Sequence, residues 1–339
     1  MIIKSEEISQ PARVLIAGLG SIGRRHLRLL RHHWPAMEIG VLRSGLGPEC
    51  SELQLADRFF VDLDSALDWQ PRAAVIASPA PFHLKQALPL AKSRIPLLIE
   101  KPIGTGDELP HGWQELRSLA LGLPILVAYV LRHDPCAFFV KHQLENQRLG
   151  ELVEVDFYCG SWLPSWRPGL DYRTSVSASR ELGGGVLLEL SHEIDLAQYL
   201  LGDLKLSAAV LTNTGLLDLN VEDQAFIMCH NSSNSAVTIR LNFCTQPTKR
   251  AVTFRGSKGE MKWNIVDSNV QLRLLDRQVN CFRSGITSDQ RYLLQFKHFF
   301  ECIAGIASPL CSVQEALNVL SLVAQARLCS AELLDGKNE

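Results

Sequence analysis

Three stretches of this chain place chemically useful residues at close spacing. Gly18-Leu19-Gly20-Ser21-Ile22-Gly23 has the G-x-G-x-x-G spacing. Glycines there let backbone N–H groups come close to a pyrophosphate, and a helix that starts there adds partial positive charge and unpaired donors. Glu100-Lys101-Pro102 sets an acid and an ammonium on a turn stiffened by proline. Gly183-Gly184-Gly185 precedes a helical run that carries Glu189, His192, Asp195 and Tyr199. At ~100° per residue these four share one stripe, and Leu187, Leu190, Ile194, Ala197 and Leu201 lie opposite. An imidazole among carboxylates suits proton transfer. The three glycines allow a ligand to approach the backbone closely.

The elements that must carry these residues follow from the apolar pattern. Ala12–Ala17, Met37–Leu42, Arg58–Val61, Ala73–Ala77, Pro96–Ile99 and Pro124–Val130 read as strands. Helices are expected over Ile22–His33, Asp64–Trp69 (capped by Asp64), Phe82–Ser93 and Asp107–Leu121. Strands with little alternation, separated by helices, indicate a parallel sheet covered on both faces. The glycine turn then follows a strand and opens a helix, and Lys101 sits beyond the carboxyl end of a strand, where such sheets bind ligands.

The character changes after Asp134-Pro135. Glu151–Cys159 reads as a strand, and a loop rich in Pro, Trp, Gly and Ser runs from Ser161 to Gly185. One helix is expected over Val186–Leu201. Strands follow at Leu206–Leu211, Gln224–His230, Ala236–Phe243, Ala251–Arg255, Glu260–Ile265 and Val270–Leu275, then helices at Ser288–Ile306 and Val313–Leu334. The fold class expected is an α/β Rossmann domain over 1–130, which binds a dinucleotide. An α+β domain with a large, mostly antiparallel open sheet is expected over 131–339.

Composition bounds the function. The 339 residues leave room for two domains, and 46% apolar with 21% charged residues is ordinary for a globular chain. Lys plus Arg number 34 against 36 Asp plus Glu, a net charge of −2, which argues against nucleic-acid or polybasic membrane binding. No apolar stretch is long enough to span a membrane. Lys4, Glu6 and Glu7 stand where a signal peptide would be apolar. Nine scattered cysteines show no C-x-x-C pair and no zinc spacing, so reduced thiols, a cytoplasmic location and no metal are expected.

About twenty residues past Gly23, NAD sites place an acid for the ribose 2′-OH. This chain has Arg43-Ser44 there. A guanidinium and a hydroxyl suit a 2′-phosphate, so NADP(H) is favoured and NAD(H) possible.

The order of the motifs carries a resemblance. GLGSIG, Ser78-Pro79 with His83, Glu100-Lys101-Pro102, Tyr129 to Pro135 with Arg132, and Gly183 to Asp195 occur in sequence, followed by Val221-Glu-Asp-Gln224 and Phe254 to Gly259. Nearly the whole chain thus resembles the glucose–fructose oxidoreductase/inositol dehydrogenase (Gfo/Idh/MocA) family. The resemblance implies NAD(P)-dependent hydride transfer between nicotinamide and a secondary alcohol or ketone of a sugar, cyclitol, nucleotide sugar or sugar acid. It implies that Lys101 contacts substrate and nicotinamide, that His192 moves the proton, and that Ser78, Pro79, His83 and Glu100 lie near the cofactor. It also implies that the domain over 131–339 serves substrate binding and oligomerisation, with a homodimer or homotetramer packed through the C-terminal sheet. Tyr129, Arg132, Trp166, Arg173 and Asp195 are candidates for substrate contact, and Trp162, Arg167 and Tyr172 share the loop of Trp166. Many relatives carry an acid four residues before the histidine. Leu188 stands there, with Glu189 three before it, so Glu189 as a catalytic acid remains open. A cofactor-binding sensor without turnover and an imine or bilin-type reductase are the alternative readings.

Overall fold

A computed structural model describes residues 10–45, 50–106, 110–275 and 279–335. The chain divides into two compact units. One holds the described residues as far as Val130 together with Ser288–Leu317; the other holds Leu131–Thr287 and residues from Asn318 onward. The segment Ser288–Leu317 thus packs with the first unit, beyond the sequence-based limit at 130.

In the first unit β1 (Arg13–Ala17), α1 (Ser21–His33), β2 (Glu38–Leu42), β3 (Arg58–Phe60), α2 (Leu63–Asp68), β4 (Ala73–Ile76), α3 (His83–Lys92), β5 (Leu97–Ile99), α4 (Pro110–Leu119) and β6 (Ile125–Val127) alternate. The strands form one parallel sheet in the order β3-β2-β1-β4-β5-β6. Every residue of β4, β5 and β6 is buried, as central parallel strands covered on both faces must be. The order reverses between β1 and β4, so a crevice opens at their carboxyl ends. Asp62 caps α2, its carboxylate accepting from the Ser65 N–H at 2.8 Å. The cap expected at Asp64 is therefore two residues late, because it is the Asp62 side chain that reaches forward to the third helical N–H. The strand expected through Val130 ends at Val127, and a 3₁₀ turn follows over Val130–His133. Residues 107–109, expected to open α4, lie outside the described residues.

The second unit begins with α5 (Pro135–Glu145), a helix the sequence reading passed over. Asp134 caps it and Pro135 starts it. Next come β7 (Leu152–Gly160), α6 (Val186–Glu189), α7 (His192–Leu201), β8 (Leu204–Thr212), β9 (Gln224–Asn231), β10 (Ala236–Asn242), β11 (Lys249–Gly256), β12 (Gly259–Asn264), β13 (Asn269–Leu274) and β14 (Val279–Arg283). Helix α8 (Ser288–Ile303) belongs to the first unit, and α9 (Val313–Asp335) passes from the first into the second. The eight strands form one sheet in the order β14-β13-β12-β11-β7-β10-β9-β8, antiparallel except for the pair β7–β10. Alternation is clear in β9, where Ala225, Ile227 and Cys229 are buried and Phe226 and Met228 exposed.

The single helix expected over Val186–Leu201 is two. The Ser191 hydroxyl donates to the Leu188 carbonyl at 2.9 Å, the acceptor that the residue 192 N–H would use in a continuous helix. His192 therefore opens a new helix.

Candidate active site

The glycine turn lies in the first unit. Strand β1 delivers Gly18 at φ +96°, a left-handed conformation that favours glycine, and its N–H donates to the Leu42 carbonyl at 2.9 Å. A Cβ on Gly18 would meet Ser78 N at 2.5 Å, and one on Gly23 would run into the Gly18 carbonyl oxygen. These two glycines bring β1, β4 and α1 together. A Cβ on Gly20 would meet nothing within 4 Å. Helix α1 has no side-chain cap and no acid in its first turn, and Gly20 and Ser21 are exposed at its start. The donors of that turn are thus open to an anion, which fits a dinucleotide pyrophosphate. Ile22 is half-buried in the same turn. Arg43, half-buried, and Ser44, exposed, stand at the carboxyl end of β2.

Ser78 and Pro79, both half-buried, follow β4. The Ser78 hydroxyl donates to Gln86 Oε1 at 2.7 Å. His83 is 1% exposed, and its ring nitrogens face two carbonyl oxygens, Nε2 to Ser78 at 2.7 Å and Nδ1 to Pro102 at 3.0 Å. Burial pushes this imidazole below its ordinary pKa, while the Ser78 carbonyl, the Glu100 carboxylate and the carbonyls of Ile103 and Pro102 pull the other way. Glu100 is also buried, with Oε1 2.6 Å from His26 Nε2 and Oε2 accepting the Lys101 N–H at 3.3 Å. The resemblance implies a place near the cofactor for both residues; in the structure each is buried and bonded to the protein's own groups. Lys101 between them is half-buried, and the Lys101–Pro102 peptide is cis. Tyr129, a substrate candidate, is fully buried in this unit.

His192 lies in the second unit. Two of the glycines before it pack closely against the protein itself: a Cβ on Gly184 would run into the Val176 carbonyl oxygen, and one on Gly185 into Glu222 Oε1. Glu222 supplies an acceptor to the Leu187 N–H at 3.4 Å, at the start of α6. Glu189 is half-buried and accepts from the Ser177 hydroxyl at 3.0 Å. His192 is half-buried as the first residue of α7.

Asp195, a candidate to orient His192 or bind a substrate hydroxyl, and Arg132, a candidate for substrate contact, are bonded to each other. Asp195 is 0% and Arg132 1% exposed, and Arg132 donates to both carboxylate oxygens, with Nη2 2.7 Å from Oδ1. The Arg132 guanidinium also lies 4.8 Å from the centre of the Tyr199 ring. Glu193, which sequence reasoning missed, is equally buried and paired with Arg250 at 2.5 Å. The polar stripe of the helical wheel is thus largely internal ion pairing. Trp166 is half-buried, donates to Ser161 Oγ at 2.9 Å and packs edge-on to Phe243. Arg173 is exposed and held by Asp171 at 2.8 Å, a solvent-facing pair. His26 was also missed. It repeats with Gly23, Leu27 and Leu30 along the buried stripe of α1, which is the signal that could have found it.

Among the described residues no helix is long and apolar enough to cross a membrane. The nine cysteines form no disulfide.

Known proteins match this arrangement. Residues 12–121 match the oxidoreductase family with an NAD-binding Rossmann fold, and residues 139–262 match the GFO/IDH/MocA C-terminal domain. A 2,7-anhydro-N-acetylneuraminate hydratase of Mediterraneibacter gnavus is 22% identical over 78% of this chain and 70% of its own. A levoglucosan dehydrogenase of Pseudarthrobacter phenanthrenivorans is 25% identical over 60% of this chain; the match spans 54% of that protein, about half its length. Among solved structures, levoglucosan dehydrogenase in complex with NADH and levoglucosan superposes with a TM-score of 0.81 at 17% identity, covering 95% of this chain and 98% of that one. The WlbA dehydrogenase of Bordetella pertussis with NADH and UDP-GlcNAcA gives 0.75 at 18% identity, covering 95% and 96%. With a dinucleotide-type glycine turn in one unit, an eight-stranded sheet in the other and a family match to each, the chain belongs to the GFO/IDH/MocA family of oxidoreductases.

Proposed function

We propose that the protein oxidises a secondary alcohol, or reduces the matching ketone, on a polyhydroxylated small molecule: a sugar, cyclitol, nucleotide sugar or sugar acid. The carrying observation is that Lys101, half-buried, follows the strand beside β4, in the unit whose Gly18–Gly23 turn fits a pyrophosphate. The nicotinamide, when bound, supplies or accepts the hydride. Gly20 and Ser21 hold the pyrophosphate at the α1 N-terminus, and Arg43 with Ser44 favours a nucleotide 2′-phosphate, hence NADP(H) over NAD(H). His192 takes the hydroxyl proton in oxidation and returns it in reduction. Lys101 donates a hydrogen bond to the oxygen as it gains negative charge. Glu189 holds its carboxylate three residues before His192 and supports it. Relatives named levoglucosan dehydrogenase and inositol 2-dehydrogenase support the substrate class.

Assembly into a homodimer or homotetramer through the open sheet face, and a cytoplasmic location, belong to the same reading. Val210, Phe226 and Met228 expose 46%, 39% and 44% of their surface on neighbouring strands of that face. Light scattering on the purified chain tests the assembly, and a monomer at micromolar concentration overturns it.

The reaction is tested with levoglucosan, myo-inositol and UDP-sugars against NAD+ and NADP+. His192→Ala is expected to lower kcat by about 100-fold or more and leave nucleotide affinity unchanged. Activity retained within about twofold, a barrier change of only ~0.4 kcal/mol, overturns the proton-transfer role. Tight nucleotide binding with no turnover on any compound favours the sensor reading. The relative named a hydratase adds one more product to look for, a hydrated anhydro sugar formed with no net change in NADH.

A further inference from the structure

Lys101 is flanked in sequence by two groups that the structure ties to buried histidines. On one side the Glu100 carboxylate bonds His26 at 2.6 Å and accepts the Lys101 N–H at 3.3 Å. On the other the Pro102 carbonyl lies 3.0 Å from His83 Nδ1. The remaining ring nitrogen of His83 lies 2.7 Å from the Ser78 carbonyl, and Ser78 is the residue that Gly18 packs against. His26 is fenced by aromatic edges, with ring centres of Tyr292 at 5.7 Å and Phe296 at 5.2 Å. The two histidines are 0% and 1% exposed.

We propose that His26 and His83 are positioning residues for Lys101, clamping its peptide from both sides and tying it to the glycine turn. The inference rests on the hydride-transfer reading for its purpose, but its geometry stands by itself. Buried as they are, neither ring presents surface to substrate or nucleotide. A carboxylate out of water demands a donor, and among the described residues the His26 Nε2–H and the Lys101 N–H are bonded to the Glu100 carboxylate. Both carbonyl oxygens facing His83 are acceptors and a neutral imidazole has one N–H; that proton sits on Nδ1, donating to Pro102, while the ring itself fills the space between the turns after β4 and β5. The consequence is catalytic, because a group misplaced by ~1 Å can lose ~100-fold in rate.

The test separates the two nitrogens of His83. An asparagine amide reaches the Nδ1 position and keeps the tie to Pro102; a glutamine amide reaches Nε2 and keeps the tie to Ser78. Crystals of wild type, His83→Leu, His83→Asn and His26→Leu are soaked with NADH, and Lys101 Nζ is compared. The expected result is a shift of ~1 Å or more, or lost density, in both leucine variants, with Nζ within ~0.5 Å of wild type in His83→Asn. In rate assays with levoglucosan and myo-inositol, His83→Leu is expected to lose ~100-fold in kcat with KM and NADH affinity within about threefold, and His83→Asn to recover more than His83→Gln. Lys101 unmoved in both leucine variants overturns the proposal, as does equal recovery by asparagine and glutamine, which also decides the matter if the leucine variants do not fold. If Lys101→Ala keeps full activity, the hydride-transfer reading is what fails, and the crystal comparison still judges the clamp.

Discussion

Arg132 grips Asp195 with its Nε shared between both carboxylate oxygens at 3.1 Å and its Nη2 on one of them at 2.7 Å, and water reaches neither side chain. The pair fixes the segment after β6 to the first turn of α7, three residues past His192. A buried ion pair of this kind specifies an arrangement more than it stabilises one, because desolvation offsets much of the attraction. Breaking it is another matter. Arg132→Met or Asp195→Asn leaves one partner unmatched, and each is expected to cost about 3–5 kcal/mol in urea unfolding. The double variant Arg132→Met with Asp195→Leu is expected to cost less than either single change. If the costs simply add, the two side chains are not a coupled pair.

The glycine turn makes a sharper prediction, because its glycines have different neighbours. Gly18→Ala puts a methyl group against the Ser78 backbone in a left-handed conformation, and Gly23→Ala puts one against the Gly18 carbonyl. Each is expected to destabilise the fold by about 1–3 kcal/mol. Gly20→Ala meets no protein atom, so its thermal midpoint is expected to stay near wild type while NADH or NADPH affinity falls by about tenfold or more. Unchanged nucleotide affinity in Gly20→Ala means that the pyrophosphate does not lie there.

The His83 pKa gives stability a pH dependence with a definite sign. Burial holds the folded imidazole below its ordinary value, so the unfolded chain binds the proton first, near pH ~6.5. The contribution is complete above that pH and is lost as pH falls toward the folded value. Urea unfolding at about pH 7.5 and about pH 5.5 should show this loss in wild type and a smaller one in His83→Asn, which does not titrate. Equal losses in both proteins place the titration elsewhere.

Cysteine chemistry offers an independent check on burial. Burial pushes the Cys229 thiol up to about 12 and, with the Glu301 charge adding to it, the Cys302 thiol up to about 11. Cys281 is exposed on the edge strand β14. Since the thiolate is the reactive form, iodoacetamide at mildly alkaline pH should alkylate Cys281 first and leave Cys229 and Cys302 intact until the protein unfolds. Peptide mass mapping reads this directly.

How much of this was legible in the sequence depends on whether local pattern or distant packing decides. The run Ala73–Ile76 is apolar with no alternation, and it is a fully buried parallel strand. The glycine turn was readable because its constraint is local, a strand that must turn and open a helix. Strand β14 was passed over because only Phe282 along it is not fully exposed, so the edge carries little alternation. Helix α5 has a start signal in Asp134-Pro135, but its apolar positions Cys136, Ala137, Phe138, Phe139 and Val140 run together and give no clear helical stripe. The break before His192 depends on one hydroxyl back-bond from Ser191, which a helical wheel does not register. The polar stripe misled for a different reason. A wheel separates polar from apolar faces, but it cannot show that Arg132, 63 residues away, and Arg250, 57 residues away, neutralise Asp195 and Glu193 inside the protein. For His83 and Glu100 the resemblance implies a place near the cofactor, while their partners His26, Ser78 and Pro102 are set by packing that no local pattern shows.

The nucleotide preference tests the reading of β2 most directly. Where an acid would bond a ribose 2′-OH, the chain carries Arg43, half-buried, and Ser44, exposed. An acid would repel a 2′-phosphate, whereas a guanidinium offers it a planar fork of donors. Arg43→Ala removes the fork and leaves the backbone bond from its N–H to the Phe60 carbonyl in place. NADPH affinity is then expected to fall by about tenfold, near 1.4 kcal/mol, with NADH affinity changed by less than about twofold. Arg43→Asp is expected to reverse the preference outright, because it adds repulsion as well as removing attraction. Fluorescence titration with both nucleotides measures this, and the NADPH affinity should weaken as salt is raised. A wild-type protein that binds NADH as tightly as NADPH, with both affinities indifferent to Arg43→Ala, leaves Arg43 no part in choosing the nucleotide.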